Sequence, residues 1–289
     1  MNWFVLALAC AFLTAACDAV SKRIMRDNDE WLTGTVILGI SSLILLPVFV
    51  SLELKPVTLE LVVLLGICLP LEIFAYYLFL SSIRMAPLSL TVPLLAFTPA
   101  LTILTSAVLV DERISAAGGA GIAMVTIGAY LLNGDLIKCN LFAPIKAIFT
   151  NPGSRRMLLV AFIWSVTSVL GKKGVLLYGA LQFGLLVLFG DLIVFALITI
   201  LKARTGRAEI CFKGGLRSLF IFAGLLMAGA EVTHFIALSM APVAYFISVK
   251  RLSLVFGVVL GWIFFGEQKI QYRLIGASVM VLGVFFIYS

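Results

Sequence analysis

Apolar residues come in long unbroken blocks, and polar residues are confined to the gaps between them. Ten such blocks can be marked. The first five are Asn2–Val20, Thr33–Leu52, Leu59–Leu80, Leu88–Val110 and Ala116–Leu132. The second five are Met157–Leu170, Leu181–Leu201, Leu216–Leu238, Pro242–Phe265 and Tyr272–Tyr288. A spanning helix needs about 20 apolar residues. All the blocks meet that requirement except Met157–Leu170, which is expected to run on past Lys172 and Lys173 toward Leu177. Blocks of this length predict helices, because the other spanning solution is a closed barrel of short alternating strands. The connections are short apart from Asn133–Arg156 and Lys202–Lys213, so no soluble domain fits between the blocks.

Composition agrees with the pattern. Hydrophobic residues make up 62% of the 289 residues and charged residues 12%, against about 25% charged in soluble domains. The reading is an all-α integral membrane protein. The net charge of +7 then reflects Lys and Arg flanking the spans rather than a nucleic-acid footprint. The five cysteines have no metal-ligand spacing, and those inside apolar blocks read as small buried side chains. The first block lacks a basic leader, so it reads as a retained helix; the alternative is a signal cleaved near Ala15-Ala16-Cys17.

The blocks repeat. Phe12 with Lys22-Arg23 corresponds to Phe162 with Lys172-Lys173, and Gly34 matches Gly184 at the same offset. At a slightly larger offset, Met85-Ala86-Pro87 matches Met240-Ala241-Pro242, Glu112 matches Glu267, and Gly121 and Gly128 match Gly276 and Gly283. The colinear order of these matches predicts two copies of a five-helix unit, 1–134 and 157–289, joined by a loop at 135–156. Five is odd, so the second copy enters the membrane from the opposite side. The expectation is therefore ten transmembrane helices as two inverted five-helix repeats, an arrangement suited to a midplane site between the halves. The paired glycines, with Gly118 and Gly119, suit close packing of the fifth and tenth helices.

These motifs resemble the EamA family of the drug/metabolite transporter superfamily over nearly the whole chain. The resemblance rests on the two Met-Ala-Pro turns, Pro99, the closing Val110-Asp111-Glu112 and Phe265-Gly266-Glu267, and Ile163-Trp164-Ser165. Thr14 stands where the first copy would repeat Trp164. The resemblance implies a ten-helix permease that moves small organic molecules by alternating access around a central cavity. A narrower similarity links Lys250-Arg251 to the phosphate-holding Lys-Arg pair of sugar-phosphate translocators. That branch also uses a lysine in the fourth helix, where this chain has Leu95 at the repeat position of Lys250.

Lys250 and Arg251 lie near the middle of the ninth block. A charge at bilayer depth costs about 2.5–3.5 kcal/mol on insertion scales and usually faces a polar interior. Two explanations stand side by side. The bases grip an anionic group, for which Arg offers a planar fork and Lys a point charge, or acids on neighbouring helices neutralise them. The acids available are Asp18, Glu72, Asp191 and Glu231. Glu231 and His234 share one helical face with Leu238, and Glu72 and Tyr76 share a face of the corresponding helix in the first copy. Lys250, Arg251, Glu231, His234, Glu72 and Tyr76 are thus the candidate substrate-binding residues. Asp18 and Asp191 are the candidate counter-charges or proton carriers, and one of these acids could couple proton movement to transport.

Lys22, Arg23, Lys172 and Lys173 are expected to snorkel to the interface, and aromatic lining by Trp164 or Tyr245 is a minority option. No catalytic triad, metal cluster or nucleotide loop is legible. The chain is expected to be neither an enzyme nor a holder of a metal or cofactor. It reads as a multi-pass protein of the cell (inner) membrane that moves a small organic metabolite, most simply one with an anionic group. The alternatives are export of cationic or amphipathic compounds through Glu72 and Glu231, and a membrane scaffold. Most Lys and Arg outside the blocks follow odd-numbered segments, which by the positive-inside rule places both termini outside. Relatives usually keep both termini in the cytoplasm.

Overall fold

The computed structural model describes residues 2–86, 91–132, 151–205, 217–265 and 270–288. The helices are α1 (Trp3–Ile24), α2 (Glu30–Val50), α3 (Leu59–Met85), a 3-10 turn (Val92–Ala96) running into α4 (Phe97–Leu109), and α5 (Ala116–Leu131). The second half holds α6 (Pro152–Tyr178), α7 (Ala180–Arg204), α8 (Arg217–Met240), α9 (Val243–Lys250), α10 (Ser253–Phe265) and α11 (Ile270–Tyr288). Together α9 and α10 form one broken span, which completes ten spans. No strand occurs among the described residues.

Local chemistry sets the helix ends. Side-chain oxygens of Asn2, Asp29, Thr58, Ser115 and Asn151 accept from backbone N–H groups in the first turns of α1, α2, α3, α5 and α6, satisfying donors that the helix leaves without partners. Asn151 with Pro152 at the first helical position starts α6 earlier than the apolar pattern shows, so residues 152–156, expected in the connecting loop, are helical. That helix also runs through Lys172 and Lys173 to Tyr178, as expected.

Among the described residues, six helices, α1–α3 and α6–α8, are long and apolar enough to cross a bilayer unaided. The fourth and ninth spans differ from the uninterrupted helices that the sequence predicts. In the fourth, the 3-10 turn precedes α4, and Pro99 sits in the first turn of α4, where a missing N–H is tolerated. In the ninth, helical bonding slips to three-residue bonds, Leu252 N–H to Val249 and Leu254 N–H to Arg251. The two irregular stretches occupy equivalent positions of the repeat, so each half carries a discontinuity at the same depth. Short 3-10 segments inside helices often mark functional hinges.

Packing between the halves follows the repeat. Helix α1 lies on α8 as α6 lies on α3, and α4 contacts α6 as α10 contacts α1. The α2–α7 and α5–α11 pairs are each their own counterpart. The α5–α11 pair is the tightest crossing. A Cβ added to Gly121 would stand 2.5 Å from the Gly283 carbonyl oxygen, and one on Gly128 would stand 2.6 Å from that of Gly276. Reciprocal contact of the four glycines requires an antiparallel crossing with backbones touching. Gly118 instead receives the Tyr245 ring, and nothing approaches Gly119.

The outer surface is apolar, with Leu43, Val63, Leu104 and Val108 among many exposed large side chains, as a hydrocarbon environment requires. Ion pairs sit at the two ends of the bundle. Asp29 meets Lys202 at 3.0 Å and Arg84 meets Glu30 at one end, and Lys173 meets Glu60 at 3.4 Å at the other.

The snorkelling expectation fails for Lys172. Its ammonium is buried and donates to the carbonyls of Leu238 and Ala241 at 2.8 Å and Ser239 at 3.4 Å. Lys22, its repeat counterpart, donates to the Ala86 carbonyl at 3.0 Å. Each half therefore uses a lysine to satisfy carbonyls at its own Met-Ala-Pro corner, where the helix has ended and the proline that follows has no N–H.

Candidate functional site

One cavity lies between the halves, at the depth of the two discontinuities. Asp18, Glu72, Tyr76 and Asp191 line it together with Glu231, His234, Lys250 and Arg251. All the candidates singled out from the sequence thus meet in one space. The reason is local: α1, α3, α6, α7 and α8 all border the cavity that the two bases line, and each turns polar side chains into it.

The bases are not neutralised by direct contact. Among the described residues, every ion pair within 4.0 Å lies at the ends of the bundle and none involves Lys250 or Arg251. Lys250 Nζ lies 2.7 Å from His234 Nδ1. An ammonium can only donate, so Nδ1 is the accepting nitrogen and the imidazole carries its proton on Nε2. The imidazole is held by the rings of Phe235 and Phe246, at 4.9 and 5.0 Å between centroids. Arg251 is buried, donates to the Thr98 hydroxyl at 3.0 Å, and has its guanidinium 5.8 Å from the Trp164 ring centre. Its Nε–H has no partner.

The acids line the same cavity. Glu72 accepts from the Thr167 hydroxyl at 3.0 Å, and Asp191 leaves Oδ1 buried without a hydrogen bond. The cavity thus offers two cationic heads and four carboxyl groups that could receive complementary groups of a solute. No cluster of His, Cys, Asp or Glu among the described residues could hold a metal ion.

A profile of the EamA-like transporter family matches residues 1–134 and 153–289. The chain belongs to the EamA-like transporter family. A solved structure described only as a crystal structure of a protein has a TM-score of 0.77 and 18% identity. The match covers 98% of this chain and 95% of the other; at that identity it bears on the fold alone. No curated protein matches. An EamA-like transporter acts on a small-molecule substrate across a bilayer, and this chain is a multi-span membrane protein of that family.

Several cavity groups escaped the reading of the sequence. Thr98, the hydroxyl partner of Arg251, also escaped it, although its repeat counterpart Ser253 lines the cavity and a hydroxyl in both copies was a usable signal. Thr167 and the cavity-lining Cys17 and Cys68 carried no signal beyond their place in apolar runs. Trp164, a minority option, lines the cavity beside Arg251. Tyr245 does not line it; its hydroxyl contacts Ser115 at 3.0 Å. Glu267 lies outside the described residues.

Proposed function

We propose that this EamA-like transporter carries a small organic metabolite with an anionic group by alternating access, and that Lys250 and Arg251 hold that group. The observation that carries the reading is the state of the two bases: four acids share their cavity, yet Lys250 leans on an imidazole and Arg251 on a hydroxyl. An unpartnered guanidinium N–H in a buried site is costly, and a carboxylate or phosphate would satisfy it in the bidentate geometry that Arg favours. Trp164 provides a flat wall beside it. Glu231, His234, Glu72 and Tyr76 form the remaining surface of the pocket, and Asp18 and Asp191 serve as counter-charges or proton carriers. The reading is of a carrier and not an enzyme, placed in the cell (inner) membrane, with a first half over 1–134 and a second half that begins with α6. Leu95 lines the cavity at the repeat position of Lys250, so the first half adds no cation at that position.

The test is transport by Lys250→Ala and Arg251→Ala in reconstituted vesicles, after a thermal-shift screen of metabolites grouped by charge has supplied the solute. Each variant is expected to stay folded and lose transport of anionic solutes. Retained transport in both removes the reading. The carboxyl groups of the same cavity, none of them in an ion pair among the described residues, favour one second reading, export of organic cations through Glu72 and Glu231. Stabilisation by organic cations, with none by carboxylated or phosphorylated compounds, selects it.

A further inference from the structure

The two cavity bases sit at the inner end of a very short helix. With eight residues at 1.5 Å each, α9 is a rod of about 12 Å; Lys250 is its last residue and Arg251 its C-cap. Whatever moves the outer end of that rod moves the bases.

The outer end is held from both halves. From its own half, Lys172 satisfies the Ala241 carbonyl at 2.8 Å. From the other half, the Glu112 carboxylate accepts the Val243 N–H at 2.9 Å, on the far side of Pro242. Glu112 is aimed there by the corner after α4. Asp111 takes a left-handed conformation, φ 52°, which is uncommon outside glycine, and the Glu112 N–H is bonded to the Ser106 carbonyl at 3.3 Å. One turn into α9, Tyr245 adds a second contact across the halves. Its hydroxyl lies 3.0 Å from Ser115 Oγ, in a socket where a Cβ on Gly118 would stand 2.1 Å from it.

A carboxylate on a helix N-terminus is favoured by both the unpaired N–H groups and the helix dipole. Glu112 is only half-buried, so water can replace either partner when the contact opens. Such a contact can break and re-form without exposing a core.

We propose that Glu112 is a positioning residue that latches the first half onto the outer end of α9. Its release opens the cavity at that end and moves Lys250 and Arg251 together. This rests on the cavity being the carrier's substrate site. The latch ties the groups that grip the solute to the closure of one entrance, so access and occupancy change through a single rigid element.

The experiment reads distance and requires no solute. The full chain, with its five cysteines replaced by serine, is spin-labelled in lipid nanodiscs at Arg113→Cys and Met240→Cys. These exposed positions flank the latch on opposite halves. A reference pair at the other end uses the exposed positions Arg26→Cys and Thr205→Cys. In E112Q the side chain keeps its size and loses its charge. The 113–240 distribution is expected to gain a longer component, the 26–205 distance does not lengthen, and the thermal midpoint stays that of the parent. E112A is expected to enlarge the longer component further.

Unchanged 113–240 distances in both variants overturn the proposal. So does lengthening at both ends, or loss of folded protein in E112Q, because either assigns Glu112 to holding the fold together. The two proposals fail separately. Transport retained by the Lys250 and Arg251 variants removes the anion reading and leaves the distances as they are. Unchanged distances, with transport lost in those variants, remove the latch alone.

Discussion

Substituting Gly128 by alanine tests the closest crossing in the molecule. The added Cβ would stand 2.6 Å from the Gly276 carbonyl oxygen and 2.7 Å from both the backbone nitrogen and the Cγ of Met280. Two of those three atoms are backbone, so no rotamer change relieves them, and ordinary contact begins at 3.4 Å. Helix α11 must therefore retreat by about 0.8 Å, loosening its packing on α5. Overpacking of this kind costs about 1–3 kcal/mol, or roughly 5- to 150-fold in the folded ratio at 1.4 kcal/mol per decade. Gly119→Ala, one helix face away, meets nothing within 4 Å and is the control. Glycine is about 1 kcal/mol worse than alanine within a helix, so that variant is expected to be neutral or more stable. Reversible unfolding in mixed micelles measures both. Equal stabilities for Gly128→Ala and Gly119→Ala would refute the assignment of these glycines to backbone contact. The double variant Gly128→Ala/Gly276→Ala should cost less than the sum of its singles, since one retreat of α11 relieves both clashes.

Lys172→Met is expected to destabilise the protein by about 1–3 kcal/mol, because it leaves buried carbonyls at the end of α8 without a donor. Lys173→Met removes only an exposed pair with Glu60 and should be nearly silent; the same unfolding assay compares them, and equal effects would contradict the capping role of Lys172. By the positive-inside rule, the distribution of Lys and Arg predicts that both termini lie outside. Single cysteines added at either terminus are accordingly expected to react with an impermeant maleimide in intact cells, and protection of both would reverse the orientation.

Much of the architecture is legible in the sequence. Long apolar blocks dictate helices because a bilayer core has no water to satisfy backbone groups. Met85-Ala86-Pro87 against Met240-Ala241-Pro242, and the four paired glycines, carry the repeat on their face, and an odd helix count inverts it. The polar candidates were legible for the same reason: a charged group inside an apolar block has few tolerable places to go, so Asp18, Glu72, Asp191, Glu231, Lys250 and Arg251 all point to the interior.

What the chain alone left open was who meets whom. Four acids and two bases on neighbouring helices permit complete internal pairing, and only the packing of α8 against α9 decides that Lys250 meets His234 rather than Glu231. Lys172 reads as a snorkelling residue near the end of a span, because nothing local shows that the carbonyls of Leu238, Ser239 and Ala241 wait beside it. The break at Arg251–Leu252 has no proline to announce it. Periodicity and composition report what each helix must do with its own surroundings. Hydrogen-bond partners dozens of residues away along the chain depend on how the two inverted halves close on each other, and that depends on Gly121, Gly128, Gly276 and Gly283 bringing backbones into contact, which only the tertiary structure decides.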